Sequence, residues 1–119
     1  MKILLVEDDP LMRDSLSRLL SFLKYEIVCA PNGKTALGLM KETKFDIVIT
    51  DLMMPQMSGQ TLICRIKEGF SGVPVIAITG YLDEADKLKA QTFQPDYLLM
   101  KPFRIEKLVD LLERTKQKK

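Results

Sequence analysis

The stretch FDIVITDLMMP, residues 45–55, decides the fold. Its first half carries three consecutive β-branched apolar residues, Ile47, Val48 and Ile49. Such a run, unbroken by alternation, reads as a strand buried on both faces, the kind found in parallel sheets covered by helices on either side. Its second half sets a carboxylate, Asp51, where the apolar run stops, and follows it with two methionines and Pro55. Proline cannot continue a central strand, so a loop begins there. Open α/β sheets hold their ligands beyond the carboxyl ends of such strands.

Similar runs recur on both sides. KILLVED (2–8) reads as a first strand, followed by Asp9 as N-cap, Pro10 at the first helical position and a helical stripe of Leu11, Leu16, Leu19, Leu20 and Leu23. EIVCA (26–30) is a second strand, PNG (31–33) a turn, and about 34–42 a helix. The third strand spans 44–51 and the helix after it 58–69; VPVIAIT (73–79) is the fourth strand. A fourth helix over 83–93 is rich in charge and poor in large apolar residues. YLLMKPF (97–103) is the fifth strand, and Ile105, Leu108, Val109, Leu111 and Leu112 give a fifth helix its apolar face. Five βα repeats without linker or low-complexity segment predict a single α/β domain over residues 1–119.

Composition narrows the function classes. A chain of 119 residues suits one domain, and with Trp absent and 7% aromatics its core is expected to be aliphatic. No apolar run approaches the roughly 20 residues of a membrane span, and MKILLVEDD turns acidic too early for a signal peptide, so a cytoplasmic protein with no membrane partner is expected. A net charge of +2 gives no reason to expect direct nucleic-acid binding; the basic residues gather in ERTKQKK (113–119), which reads as a solvated helix end. Cys29 and Cys64 lie far apart inside apolar patterns and read as buried reduced thiols. Histidine is absent, so chemistry that needs an imidazole must take it from a partner.

Right-handed crossovers put every strand's carboxyl end on one edge of the sheet. Glu7, Asp8 and Asp9, then Asp51, Thr79 and Lys101 all fall at such ends, contributed by strands one, three, four and five. Singly, each has an ordinary reading: Asp9 caps a helix, Glu7 and Asp8 are solvated strand-end charges, Lys101 snorkels, Thr79 is a strand-end hydroxyl. Together they describe a site. Carboxylates brought close repel, and an all-oxygen donor set relieves that by binding Mg²⁺ or Mn²⁺. Phosphoryl transfer then has Asp51 as nucleophile, Lys101 as cation for one phosphate oxygen and Thr79 as hydroxyl donor for another. No group is left to act as an efficient base on water, which suits a switch better than a turnover enzyme.

The combination LLVEDDP, VITDLMMPQMSG, VIAITG and MKPF resembles the response regulator receiver domains, from first strand to last helix. The resemblance implies a flavodoxin-like (βα)5 three-layer sandwich with a five-stranded parallel sheet of order 2-1-3-4-5. It implies that Asp51 accepts a phosphoryl group from the phosphohistidine of a sensor histidine kinase or a histidine phosphotransfer protein. Glu7 and Asp8 then serve Mg²⁺, with Asp51 and the backbone carbonyl of Met53 completing the protein ligands. Thr79 and Lys101 match the family's switch hydroxyl and lysine, and the Lys101-Pro102 peptide is expected to be cis. Output is expected at the surface formed by the fourth helix, fifth strand and fifth helix (α4-β5-α5), toward a protein target, an output domain of a longer protein, or a second copy.

Three departures stand out. The position three before Lys101, usually aromatic in the family, is Leu98, with Tyr97 one residue earlier, so either the loop is altered or the aromatic switch is missing. FQPDY replaces the family's GADDY-like lead-in. Met53 and Tyr81, two residues after Asp51 and Thr79, are bulky and poor at orienting water, so slow loss of the phosphoryl group is expected. A haloacid-dehalogenase-type phosphohydrolase also uses an Asp and Mg²⁺ after a strand, but needs a second Asp where this chain has Met53. A receiver that is never phosphorylated would normally lack the acidic pair, the acceptor or the lysine, and all are present here.

Overall fold

The computed structural model describes residues 1–89 and 91–117, apart from the side chains of Glu84, Leu88 and Lys89. Its strands are β1 (Lys2–Val6), β2 (Glu26–Ala30), β3 (Ile47–Asp51), β4 (Val75–Thr79) and β5 (Tyr97–Met100). They alternate with α1 (Pro10–Phe22), α2 (Gly33–Glu42), α3 (Gly59–Gly69), α4 (Leu82–Lys89) and α5 (Ile105–Gln117). The sheet is parallel throughout, in the order β2-β1-β3-β4-β5. That is the flavodoxin-like arrangement the sequence motifs imply.

Period-two alternation divides the strand residues between two cores. Ile3 and Leu5 of β1, Ile47 and Ile49 of β3, Ile76 and Ile78 of β4 and Leu99 of β5 pack against Leu16 and Leu20 of α1 and Leu108, Leu111 and Leu112 of α5. Leu4, Val6, Val48, Val75 and Ala77 face the other way, onto Ala36 and Met40 of α2 and Leu62, Ile63 and Ile66 of α3. Every residue of β3 and β4 is buried, which is why residues 47–49 and 75–78 are apolar without alternation.

Local chemistry sets the helix starts. The Asp9 carboxylate accepts the Leu11 N–H (3.0 Å) ahead of Pro10, Asn32 accepts from Thr35 (2.8 Å), and Ser58 accepts from Thr61 (3.2 Å). Gly59 donates its N–H to the Leu52 carbonyl at 3.0 Å, folding the loop after β3 back onto the strand end.

Several boundaries differ from expectation. β3 begins at Ile47, because Asp46 turns its carboxylate to the Lys2 N–H (2.7 Å) ahead of the strand. β4 begins at Val75, whose N–H goes to the Asp96 carboxylate (2.8 Å), after Pro74, which has no N–H to donate. β5 ends at Met100, before the cis Lys101-Pro102 peptide. The fourth helix spans Leu82–Lys89 rather than 83–93. Residues 91–93 bend, since no apolar stripe carries a helix on and the Gln94-Pro95 step disfavours one; Gln94 Nε2 instead donates to the Gln91 carbonyl (2.7 Å).

In α1, Leu16 and Leu20 are buried, whereas Leu11, Leu19 and Leu23 are exposed. Leu19 lies about 100° around the helix from Leu20, and Leu11 about 140° from Leu16. Leu23 stands past the last turn, as the C-cap. Cys29 and Cys64 are free thiols but only half-buried, and Cys64 Sγ donates to Gln91 Oε1 (3.4 Å). Of the basic tail, Lys118 and Lys119 lie outside the described residues. No helix among the described residues is long and apolar enough to cross a membrane.

Candidate functional site

At the carboxyl edge of the sheet a cavity of about 490 Å³ is lined by Glu7, Asp8, Asp51, Met53, Tyr81 and Lys101, among others. Asp51 is the last residue of β3, opposite Ile78 of β4, and is almost fully buried. Both of its carboxylate oxygens are held: Oδ1 accepts the Met53 N–H (2.9 Å), and Oδ2 accepts the Lys101 ammonium (2.7 Å). Lys101 Nζ also lies 3.7 Å from Glu7 Oε1, and its own N–H donates to the Thr79 carbonyl (2.8 Å), which ties the lysine to the end of β4.

Glu7, Asp8 and Asp51 each offer a carboxylate oxygen, and these lie within 4.8 Å of one another. Lys101 is the cation among them. Burial, then the charge of Asp51, pushes the Glu7 carboxyl up to about 7, against the opposing pull of Lys101. Burial draws the Lys101 ammonium down, but its hydrogen bond to Asp51 and the charges of Asp51 and Glu7 outweigh that, and its pKa ends above the usual lysine value. A hard divalent cation suits this donor set: three convergent carboxylates, one of them reluctant to ionise, with neither Cys nor His.

A pH dependence follows. A carboxyl whose folded pKa is raised from 4.5 to about 7 stabilises the fold fully below the lower value, and that contribution is lost as pH rises through the higher one. Metal-free protein is therefore expected to melt several degrees lower at pH 8 than at pH 5, with Glu7→Gln or saturating Mg²⁺ flattening the slope. Thermal unfolding at the two pH values checks this, and an unchanged slope in Glu7→Gln contradicts it.

Asp9 stays on its helix as an exposed cap and is not part of the carboxylate cluster. Thr79 is fully buried behind the cavity and does not line it; its hydroxyl accepts the Tyr81 N–H (3.1 Å). Gly59 is needed for close approach: a Cβ there would lie 2.4 Å from the Asp51 carbonyl oxygen and 2.5 Å from Leu52 Cα. Met54 and Met57 pack against the α2/α3 core.

The pairing register separates Tyr97 from Leu98. Tyr97 pairs with Ile76 and joins the α1/α5 core, whereas Leu98 pairs with Ala77, on the face that Thr79 shares by alternation. Tyr97 therefore points away from the Thr79 side of the sheet, and that side of β5 carries an aliphatic residue. Sequence reading did not single out Arg13, whose guanidinium donates to the Glu7 carbonyl (2.8 Å); an arginine on a polar helix face gives no signal of such a bond.

Residues 3–113 match the family model described as "Response regulator receiver domain". The chain belongs to the response regulator receiver domain family. The receiver is 38% identical over 109 residues to the sensor histidine kinase TmoS of Ectopseudomonas mendocina, covering 90% of this chain and 11% of that protein. It is 36% identical to the transcriptional regulatory protein CrdR of Helicobacter pylori, covering 95% of this chain and 54% of CrdR. The chain thus spans about half or less of these relatives. Among solved structures, response regulator TrrA of Thermotoga maritima in complex with Mg²⁺-BeF superposes with a TM-score of 0.87 at 29% identity, covering 96% of this chain and 97% of that one. Receiver domains are phospho-acceptor modules that work with sensor histidine kinases, and this receiver's acidic cluster is suited to a divalent metal.

Proposed function

We propose that this receiver takes a phosphoryl group onto Asp51 from the phosphohistidine of a sensor histidine kinase or histidine phosphotransfer protein, in the cytoplasm and with Mg²⁺. The observation that carries this reading is the Asp51 carboxylate, buried, held at both oxygens, and open to a cavity lined also by the Lys101 ammonium and the carboxylates of Glu7 and Asp8. Glu7, Asp8, Asp51 and the Met53 carbonyl would hold Mg²⁺, or Mn²⁺. Bound there, the ion neutralises charge on the phosphoryl oxygens.

The chain's own groups supply the rest. A carboxylate oxygen of Asp51 attacks phosphorus directly and needs no base, as the phosphorus–nitrogen bond to the donor's histidine breaks and its imidazole leaves with the bonding pair. Lys101 moves its ammonium from Asp51 Oδ2 to a phosphoryl oxygen nearby. Thr79, whose oxygen already accepts from Tyr81, keeps its proton for another phosphoryl oxygen once it turns toward the cavity. Beside the site, a groove of about 660 Å³ lined by Met12, Leu16, Leu19, Phe103 and Ile105 shares Lys101 with the cavity and offers an apolar seat for the donor protein.

Loss of the phosphoryl group is expected to be slow, because Met53 and Tyr81 line the cavity with side chains that do not position water for attack. The receiver therefore acts as a switch, with no turnover of a substrate. Its output leaves by the α4-β5-α5 face, where Tyr81, Leu82 and Leu98 are exposed for an attached domain, a separate protein or a second copy. Transfer of label from an autophosphorylated histidine kinase tests the reading, followed by decay of the isolated phosphoprotein in Mg²⁺. Uptake with a half-life well beyond seconds is expected; decay within seconds contradicts the assignment of Met53 and Tyr81.

A further inference from the structure

Between β1 and α1 the chain makes the turn that carries Glu7 and Asp8. One end is fixed by the Glu7 N–H, which donates to the Ala30 carbonyl (3.1 Å), and the other by the Asp9 cap. Arg13, half-buried on α1, reaches back to this segment: Nη1 donates to the Glu7 carbonyl at 2.8 Å and lies 3.5 Å from that of Asp8. Its own N–H donates to the Asp9 carbonyl (2.9 Å), so backbone and side chain both grip consecutive residues of the turn.

We propose that Arg13 is a positioning residue for the divalent-cation site, holding the peptide groups of Glu7 and Asp8 so that their carboxylates stay converged on Asp51. This rests on the reading of those carboxylates as a cation site. Three carboxylates within 4.8 Å repel one another before any cation arrives, and an unrestrained turn would relieve the repulsion by spreading. A hydrogen bond from a charged donor to the Glu7 carbonyl opposes that spreading by holding the peptide group between Glu7 and Asp8. Removing such a support around a metal site typically weakens metal affinity about ten- to a hundred-fold.

Mg²⁺ titration calorimetry of the unphosphorylated protein tests this. Arg13→Met is expected to weaken Mg²⁺ binding about tenfold, and Arg13→Lys, which keeps the charge and a donor, to recover most of the loss. Tyr25→Phe, which removes the Tyr25–Glu113 hydrogen bond (2.6 Å) far from the site, controls for general destabilisation and should bind Mg²⁺ as the parent does. If Arg13→Met does not fold, Arg13→Gln serves in its place, with the same loss expected. Unchanged or tighter binding in the variant, the result that removing a positive charge alone would give, overturns the proposal while leaving the cation site standing. A parent protein that binds no Mg²⁺ overturns the site and the role of Arg13 together.

Discussion

Lys101→Met is expected to slow the labelling of Asp51 by acetyl phosphate about 100-fold or more. The ammonium sits 2.7 Å from Asp51 Oδ2 and 3.7 Å from Glu7 Oε1, and its side chain is 30% exposed, so the charge is partly shielded from water and acts at short range. Without it, a phosphoryl group entering the cavity meets carboxylates with no cation among the described residues that line it to balance its own oxygens. The same substitution removes a charge that competes with a metal, so Mg²⁺ binding should be retained or tightened. Slow labelling with intact Mg²⁺ binding identifies Lys101 as a group that serves the phosphoryl oxygens. Labelling at the parent's rate contradicts that role.

Gly59→Ala is expected to cost about 3 kcal/mol and lower the melting temperature by on the order of 10 °C. The atoms a Cβ would strike, the Asp51 carbonyl oxygen and Leu52 Cα, are backbone, so no side-chain rotation relieves the clash and α3 must move away from β3. That displacement also breaks the Gly59 N–H bond to Leu52 and disturbs the peptide that carries Asp51. Gly38→Ala is the contrast: its Cβ meets nothing within 4 Å in the middle of α2, and alanine there should stabilise by about 0.5–1 kcal/mol. Thermal unfolding of both variants checks the pair; a Gly59→Ala protein that melts with the parent would contradict the close approach.

The architecture was legible because β3 and β4 are buried on both faces and run apolar, without alternation, up to the polar residues at their carboxyl ends, and because Asp9 and Pro10 mark the start of α1 in the usual way. Boundaries were less so. Whether residues 91–93 extend α4 depends on a weak local preference, and which leucines of α1 are covered depends on the angle at which the helix meets the sheet.

Asp51, Lys101, Glu7 and Asp8 could be brought together on paper because strand ends in a parallel sheet share an edge. The position of Thr79 behind the cavity could not, since a strand-end residue's inward or lateral aim is set by neighbouring backbone such as the Tyr81 N–H. Nor could the grip of Arg13 on the Glu7 carbonyl, which joins a side chain to backbone and leaves no pattern in residue types.

The most direct test is intact mass of the protein after incubation with acetyl phosphate and Mg²⁺, beside Asp51→Asn. One added phosphoryl group is expected on the parent and none on the variant. An adduct that survives Asp51→Asn, or a parent that binds Mg²⁺ and gains no phosphoryl group, would contradict the assignment of Asp51 as the acceptor.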